Sequence, residues 1–309
     1  MAAIVGMGTC VPSITLTNKD LEQLLDTSDE WIVERTGIRE RRIAGPGDST
    51  VSMATAAAAD ALKDSGVAPE LVDLLVIATI TPTQKLPAVS AFVQDNLGIA
   101  CGAFDLVAAC SGFVYSLVTA DALMQTGGLR SAVVVGAETL STMVAPDDRG
   151  TTILFGDGAA AAVIVPSAPG YGLLGYDLGC DGSAASLLQV RVGEQFVEME
   201  GKEVFRRAVR ACITSAEKAL ERSGLSPEDV DVFVPHQANT RIIDAIVERL
   251  GMTKARTIRN MDKYGNTSAA SIPLALAEAD PKDGDVVLLC GFGAGMTWAS
   301  AALRWGTGL

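Results

Sequence analysis

The stretch ALKDSGVAPELVDLLV at residues 61–76 returns as ALERSGLSPEDVDVFV at residues 219–234. Nine of the sixteen positions are identical at a constant offset of 158. Both copies have the same physical plan. An Ala-rich helical segment is closed by Ser-Gly, a pair suited to a helix C-terminus; a short loop with Pro follows, and an apolar run then reads as a strand. Outward from these copies the likeness loosens but persists. LRSAVVVGAE (129–138) and GDVVLLCGFG (284–293) are both apolar strands with glycine near their ends. Each is followed by a polar loop and another strand, AAAAVIV at 159–165 and TWASAALRW at 297–305. Strands alternating with crossover helices predict the α/β class with buried parallel strands. Two similar halves, residues 1–165 and 166–309, are expected to pack as one pseudo-symmetric unit, with no low-complexity linker between them.

Composition narrows the chemistry. A chain of 309 residues with 49% hydrophobic and 20% charged residues can bury a sizeable core. Its net charge of -13 opposes nonspecific binding to nucleic acid or to an anionic membrane. The single histidine, His236, excludes His-rich metal sites and any mechanism needing two imidazoles. Six cysteines lie scattered at 10, 101, 110, 180, 212 and 290, without zinc-ligand spacing, so no metal is expected. No run approaches the ~18 apolar residues of a membrane span, and the N-terminus lacks the pattern of a secretory signal. A cytoplasmic protein with reduced thiols is expected.

Three residues could carry chemistry. Cys110 falls where the strand-like FDLVAA meets a helix marked by Phe113, Leu117, Ala120 and Met124. Backbone N–H groups and the helix dipole at such a junction favour a thiolate, although a buried cysteine can equally be a small hydrophobe. His236 follows the second copy's strand in VFVPHQANTRIID, at the edge where open α/β sheets place ligands; a structural histidine is the alternative. Asn266 lies in KYGNTSAASIPLALAEA before another helix, where a helix cap is the alternative. Subtracting the repeat offset from Ser268 gives Cys110, so the two helix starts are expected to be equivalent and to converge across the interface. GFGAGM (291–296) lacks the following helix of a dinucleotide loop and reads instead as a tight glycine turn.

The strings TSDEWIVERTGIRERR (27–42), AACSGF (108–113), DRGTTILFGDGAAAAV (148–163), VPHQANTRII (234–243) and GNTSAASIP (265–273) resemble the β-ketoacyl-[acyl carrier protein] synthase III family. The resemblance runs nearly end to end. It implies the thiolase fold, two pseudo-symmetric halves in a five-layered α-β-α-β-α arrangement. It also implies a Cys-His-Asn triad at Cys110, His236 and Asn266, with an oxyanion hole from the backbone N–H groups of Cys110 and Ala294. The implied reaction is a decarboxylative Claisen condensation of an acyl-CoA starter with malonyl-[acyl carrier protein], begun by acylation of the cysteine and initiating fatty-acid synthesis. Elongating relatives use two histidines, which this chain cannot supply, so the priming type fits. Other acceptors, or a non-catalytic scaffold binding CoA or carrier, are the alternatives.

The same resemblance implies CoA contacts from Thr27, Trp31, Arg35, Arg149, Gly201, Ala238 and Asn239, with Trp31 stacking on adenine. It implies an acyl pocket limited by Leu86 and Met296, a homodimer, and no cofactor, acyl-CoA being a substrate. The acyl carrier protein is acidic, and residues 241–263 hold six basic side chains against three acidic ones. Arg241, Arg249, Lys254 and Arg256, with Arg206, Arg207 and Arg210, are therefore expected to form a carrier-docking face.

Overall fold

Two five-stranded sheets carry the chain, whose residues 1–309 are all described by a computed structural model. The first half supplies β1 (Ala2–Cys10), α1 (Thr50–Ser65), β2 (Leu74–Ala78), α2 (Val89–Asn96), β3 (Gly102–Leu106), α3 (Gly112–Gly127), β4 (Ala132–Thr139) and β5 (Asp157–Pro166). The second supplies β6 (Gly172–Cys180), α4 (Gly201–Ser223), β7 (Val232–Pro235), α5 (Thr240–Leu250), β8 (Arg256–Thr257), α6 (Ser271–Ala279), β9 (Val286–Gly293) and β10 (Thr297–Arg304). The strand orders, β1-β5-β4-β2-β3 and β6-β10-β9-β7-β8, match position by position.

The repeat does the same structural work in each half. Gly66 and Gly224 adopt left-handed backbone, φ 67° and 68°, and end α1 and α4. Pro69 and Pro227 then open equivalent 3-10 turns that lead into β2 and β7. The central strands β4 and β9 are buried along their whole length, which explains their near-continuous apolar sequences.

The sheets are mixed rather than parallel throughout. β2 pairs in parallel with β3 and β4, as β7 does with β8 and β9. However, β5 runs antiparallel to β4 and β1, and β10 antiparallel to β9 and β6. The connections from β4 to β5 and from β9 to β10 contain no crossover helix across the sheet, so the chain returns antiparallel.

Three apolar clusters define five layers. Residues of α1 and α2 pack on one face of the first sheet. The helices α3 and α6 are sandwiched between the two sheets. The outer face of the second sheet is covered by α4 and α5. The thiolase-type arrangement of two pseudo-symmetric halves is therefore present.

One detail of the repeat shifts. The 3-10 turns Ala109–Ser111 and Ser268–Ala270 precede α3 and α6, and Ala109 and Ser268 share a left-handed φ of 47°. Ala269, not Ser268, is thus the counterpart of Cys110: the second half has gained one residue between repeat and turn. These turns press reciprocally on the opposite central strands. A Cβ at Gly136 of β4 would sit 2.2 Å from the Ala269 carbonyl oxygen, and one at Gly293 of β9 would sit 2.6 Å from the Cys110 nitrogen.

Gly136→Ala is expected to destabilise the fold by about 1–3 kcal/mol in urea unfolding, because backbone must move to admit the methyl group. Gly182→Ala, where a Cβ meets nothing within 4 Å, is the control and should stay within about 0.5 kcal/mol.

Candidate active site

Cys110, His236 and Asn266 line one cavity of about 500 Å³. Each is delivered by a different element. Cys110 stands in the 3-10 turn before α3, since the strand β3 ends at Leu106, earlier than the FDLVAA string predicts. His236 directly follows β7 and donates its backbone N–H to the Cys290 carbonyl at 2.7 Å. Asn266 is held by its backbone, donating to Leu154 O at 2.8 Å and accepting from Gly156 N at 3.0 Å.

The side chains are held so that polar atoms remain free. His236 Nδ1 lies 2.5 Å from the Ser271 hydroxyl at the start of α6. If that hydroxyl donates, the imidazole carries its proton on Nε2, which has no protein partner. Asn266 Oδ1 accepts from Ser268 N at 2.9 Å, leaving the Nδ2 amide without a partner. Asn266 therefore both caps a turn and can donate to the cavity. Ser271 had no signal of its own in the sequence; it was visible only as one more small residue in the GNTSAASIP string.

Burial governs the electrostatics. It pushes the Cys110 thiol up to about 12, against the weaker easing from Ser268 and from Cys110's own N–H. The N–H at the junction does ease ionisation, but burial outweighs it. His236 is pushed down to about 4 by the same cause.

A second cavity of about 470 Å³ meets the first at Cys110. Its wall is apolar, including Ile80, Val107, Leu140, Met143, Val190 and Val197, with Ala294 at the cysteine end. Beyond Gly293 the backbone forms the short turn Ala294–Met296 and then enters β10, so GFGAGM is indeed a turn without a helix. Met296 does not line this cavity; it is buried in the core of the second half. Leu86 is also absent from its wall and is 85% exposed. Residues 188–199 contribute Leu188, Val190 and Val197, which the sequence had not marked as pocket residues.

The mouth of the first cavity contains Trp31, Arg35, Gly201, Ala238, Asn239 and Arg241. The guanidinium groups of Arg35 and Arg149 lie 4.8 and 4.7 Å from the Trp31 ring centre. Arg149 also donates to Asp26 O and sits behind the rim beside Gly150, which does line the cavity. Thr27 stands off the wall with its Oγ1 buried and unpaired. The Asn239 side chain is already engaged: Oδ1 accepts from Arg241 N at the start of α5, and Nδ2 donates to Arg35 O.

The basic residues do not form a single patch of free charges. Arg206, Arg207 and Arg210 line a separate cavity with Lys218, and Arg206 and Arg207 pair with Glu203. Arg207 also bridges Asp181. Arg249, Lys254 and Arg256 are exposed, and the Arg256 guanidinium also donates to Ala279 O at the end of α6. No group of His, Cys, Asp and Glu side chains is arranged to hold a metal. No helix is long and apolar enough to cross a membrane.

Family models for 3-oxoacyl-[acyl-carrier-protein] synthase III match residues 104–182, and those for its C-terminal part match residues 220–305. The β-ketoacyl-[acyl-carrier-protein] synthase III of Desulfitobacterium hafniense is 48% identical, covering 98% of this chain and 97% of the relative. The crystal structure of 3-oxoacyl-[acyl-carrier-protein] synthase III from Aquifex aeolicus superposes with a TM-score of 0.96 at 43% identity, over 99% of this chain and 100% of the other. The priming β-ketosynthase of the R1128 polyketide pathway superposes with a TM-score of 0.95 at 37% identity, over 100% and 97%.

A histidine lowered from its unfolded value by burial binds fewer protons in the native state between about pH 4 and pH 6.5, so its contribution to stability falls as pH drops through that window. Relative to His236→Gln, the wild type is expected to lose up to about 1.4 kcal/mol per pH unit there. Urea midpoints measured in parallel for the two proteins check the sign.

Proposed function

This chain belongs to the 3-oxoacyl-[acyl-carrier-protein] synthase III family, and from that premise we propose how its own residues perform the condensation. It is an acyltransferase that joins an acyl-CoA starter to malonyl-[acyl carrier protein], giving a 3-oxoacyl-carrier and carbon dioxide and initiating fatty-acid synthesis. The observation that carries the residue assignment is the shared cavity: Cys110, His236 and Asn266 line it together, and His236 Nε2 and Asn266 Nδ2 have no protein partner.

Cys110, as thiolate, attacks the starter thioester. The backbone N–H groups of Cys110 and Ala294 receive the developing oxyanion, which collapses to the acyl-cysteine as CoA thiolate leaves. The apolar second cavity takes the acyl chain, so Ile80, Leu140, Met143, Val190 and Val197 limit its size. The malonyl thioester then enters the first cavity. His236 Nε2–H and Asn266 Nδ2–H hydrogen-bond its carbonyl and stabilise the enolate formed as carbon dioxide departs. The carbanion attacks the acyl-cysteine, and collapse releases the product and the Cys110 thiolate.

Trp31 and Arg35 at the mouth, with Arg149 behind the rim, suit the adenine and phosphate end of CoA, and Gly201 and Ala238 offer close backbone approach along the channel. We read the protein as a homodimer. β3 is an edge strand with exposed Gly102 and Ala103, and Val107 and Leu86 beside it are 76% and 85% exposed, an unpaired apolar rim that a second copy covers. Carrier docking falls to Arg249, Lys254, Arg241 and Arg210, the last two at cavity rims. Six free thiols fit a reducing, cytoplasmic setting.

Intact-mass analysis after adding acetyl-CoA should show an adduct that Cys110→Ser abolishes. His236→Ala and Asn266→Ala should keep that adduct yet lower carbon dioxide release from malonyl carrier by about 100-fold or more. An adduct that persists in Cys110→Ser overturns the assignment. Arg249→Glu should slow condensation with malonyl carrier about tenfold at low salt and converge with the wild type at high salt; equal rates at low salt remove Arg249 from the docking face.

A further inference from the structure

Glu138 stands near the end of β4, fully buried, and the condensation described above gives it no task. Its Oε2 accepts from the Thr79 hydroxyl at 3.2 Å, the Ile80 N–H at 3.1 Å and the Thr81 hydroxyl at 2.6 Å. Its Oε1 is buried without a partner. No lysine or arginine contributes to its charge environment. The groups that meet it are Thr79, Ile80 and Thr81 from the loop after β2, Ser268 from the turn before α6, and, among titratable side chains, Cys110. A carboxyl buried without a cation is costly, and such groups concentrate where chemistry uses them.

The backbone explains why Ser268 meets it. Gly136 and Glu138 alternate onto the same face of β4, and the Ala269 carbonyl presses on that face at Gly136. The Ser268 hydroxyl is buried and, like Glu138 Oε1, lacks a partner of ordinary hydrogen-bond geometry. Ser268 and Cys110 line the same apolar cavity, and the turn that carries Ser268 lies on the β4 face that carries Glu138, so one turn brings the hydroxyl toward both groups and eases the ionisation of each. Its left-handed backbone, φ 47°, is fixed by donation of the Ser268 N–H to Asn266 Oδ1. Burial raises the carboxyl to about 7 and the thiol to about 12, and each charge opposes the other. His236, held near 4, is a poor alternative acceptor.

We propose that Glu138, acting through the Ser268 hydroxyl, takes up the Cys110 proton when the nucleophile forms and holds it through the life of the acyl-enzyme. The Cys110 S–H bond breaks, its proton passes to Ser268 Oγ, and the Ser268 proton passes to Glu138 Oε1. The thiolate attacks the thioester, and the departing CoA thiolate takes a proton from solvent. When the condensation expels the Cys110 thiolate, Glu138 returns its proton along the same path. The pocket thus never holds carboxylate and thiolate together. The inference rests on Cys110 being the nucleophile.

Alkylation of Cys110 by iodoacetamide, read by peptide mass, tests it without any acyl substrate, beside single-turnover acylation by acetyl-CoA. Both rates are followed from about pH 5.5 to about pH 9. In the wild type, alkylation is expected to rise with pH through about 7, as Glu138 ionises. Glu138→Gln should remove that rise and slow alkylation at about pH 8 by roughly 100-fold. Ser268→Ala should slow it comparably, the double variant should be no slower than either, and Glu138→Asp should recover part of the pH dependence. Wild-type rates in both Glu138→Gln and Ser268→Ala overturn the relay. So does a slow Glu138→Gln that keeps the rise near pH 7, which assigns Glu138 a packing role. Alkylation that follows the expected profile in a protein forming no acyl adduct supports the relay and counts against the acyltransferase reading alone.

Discussion

The structure depends on a reciprocal close approach of backbone. The turn that carries Cys110 lies on the central strand of the second sheet, and the equivalent turn at Ser268–Ala270 lies on the central strand of the first. Each approach requires a strand residue without a Cβ, Gly293 in one case and Gly136 in the other. Each also bends the chain into left-handed backbone at a non-glycine residue, Ala109 and Ser268. Each turn packs against the central strand of the other half. Two copies of one supersecondary plan, packed face to face through α3 and α6, over-determine that conformation. The cavity exists where the two turns meet, so pseudo-symmetry of the fold and asymmetry of the chemistry have one origin.

Burial at that meeting point decides the resting charges. The thiol is raised, the imidazole is lowered and the carboxyl of Glu138 is raised, so all three are driven toward neutrality. A neutral, buried site makes each hydrogen bond to a developing enolate or oxyanion stronger than it would be in water. The same burial makes a spare charge expensive. The ion pairs of Arg206, Arg207 and Arg259 accordingly lie at the surface, while the exposed Arg222 reaches the buried Asp177.

Much of this was legible in the sequence because it is local or repeated. The 61–76 and 219–234 copies gave the two matched sheets, and the HQAN and GNTSAAS strings gave the residues that share a cavity. What escaped depends on tertiary context. A constant offset cannot register the single residue gained before Ser268. A strand-to-helix junction advertises a helix dipole at Cys110 but says nothing of how deeply the other half buries it. Arg256 and Asn239 look unengaged in a string of letters, yet their side chains bond Ala279 O and Arg35 O, contacts formed by distant segments. Glu138 ends a strand like many acidic residues that face solvent; only the sheet opposite makes it a buried acid.

The lone histidine sharpens the last step. Its Nδ1 is tied to Ser271, and burial keeps the ring neutral across the range in which it must work. A neutral imidazole and an amide can donate hydrogen bonds to an enolate, but a ring with so low a proton affinity cannot also hold the proton of a buried thiol. The two demands of the reaction, donors for one intermediate and an acceptor for one proton, therefore fall on different residues. His236 and Asn266 come from loops of the second half and meet the first demand. A carboxyl on the central strand of the first half is the one group near Cys110 with an affinity suited to the second. Separating donor from acceptor in this way lets the donors stay fixed while charge moves, which is the condition under which preorganised hydrogen bonds lower a barrier.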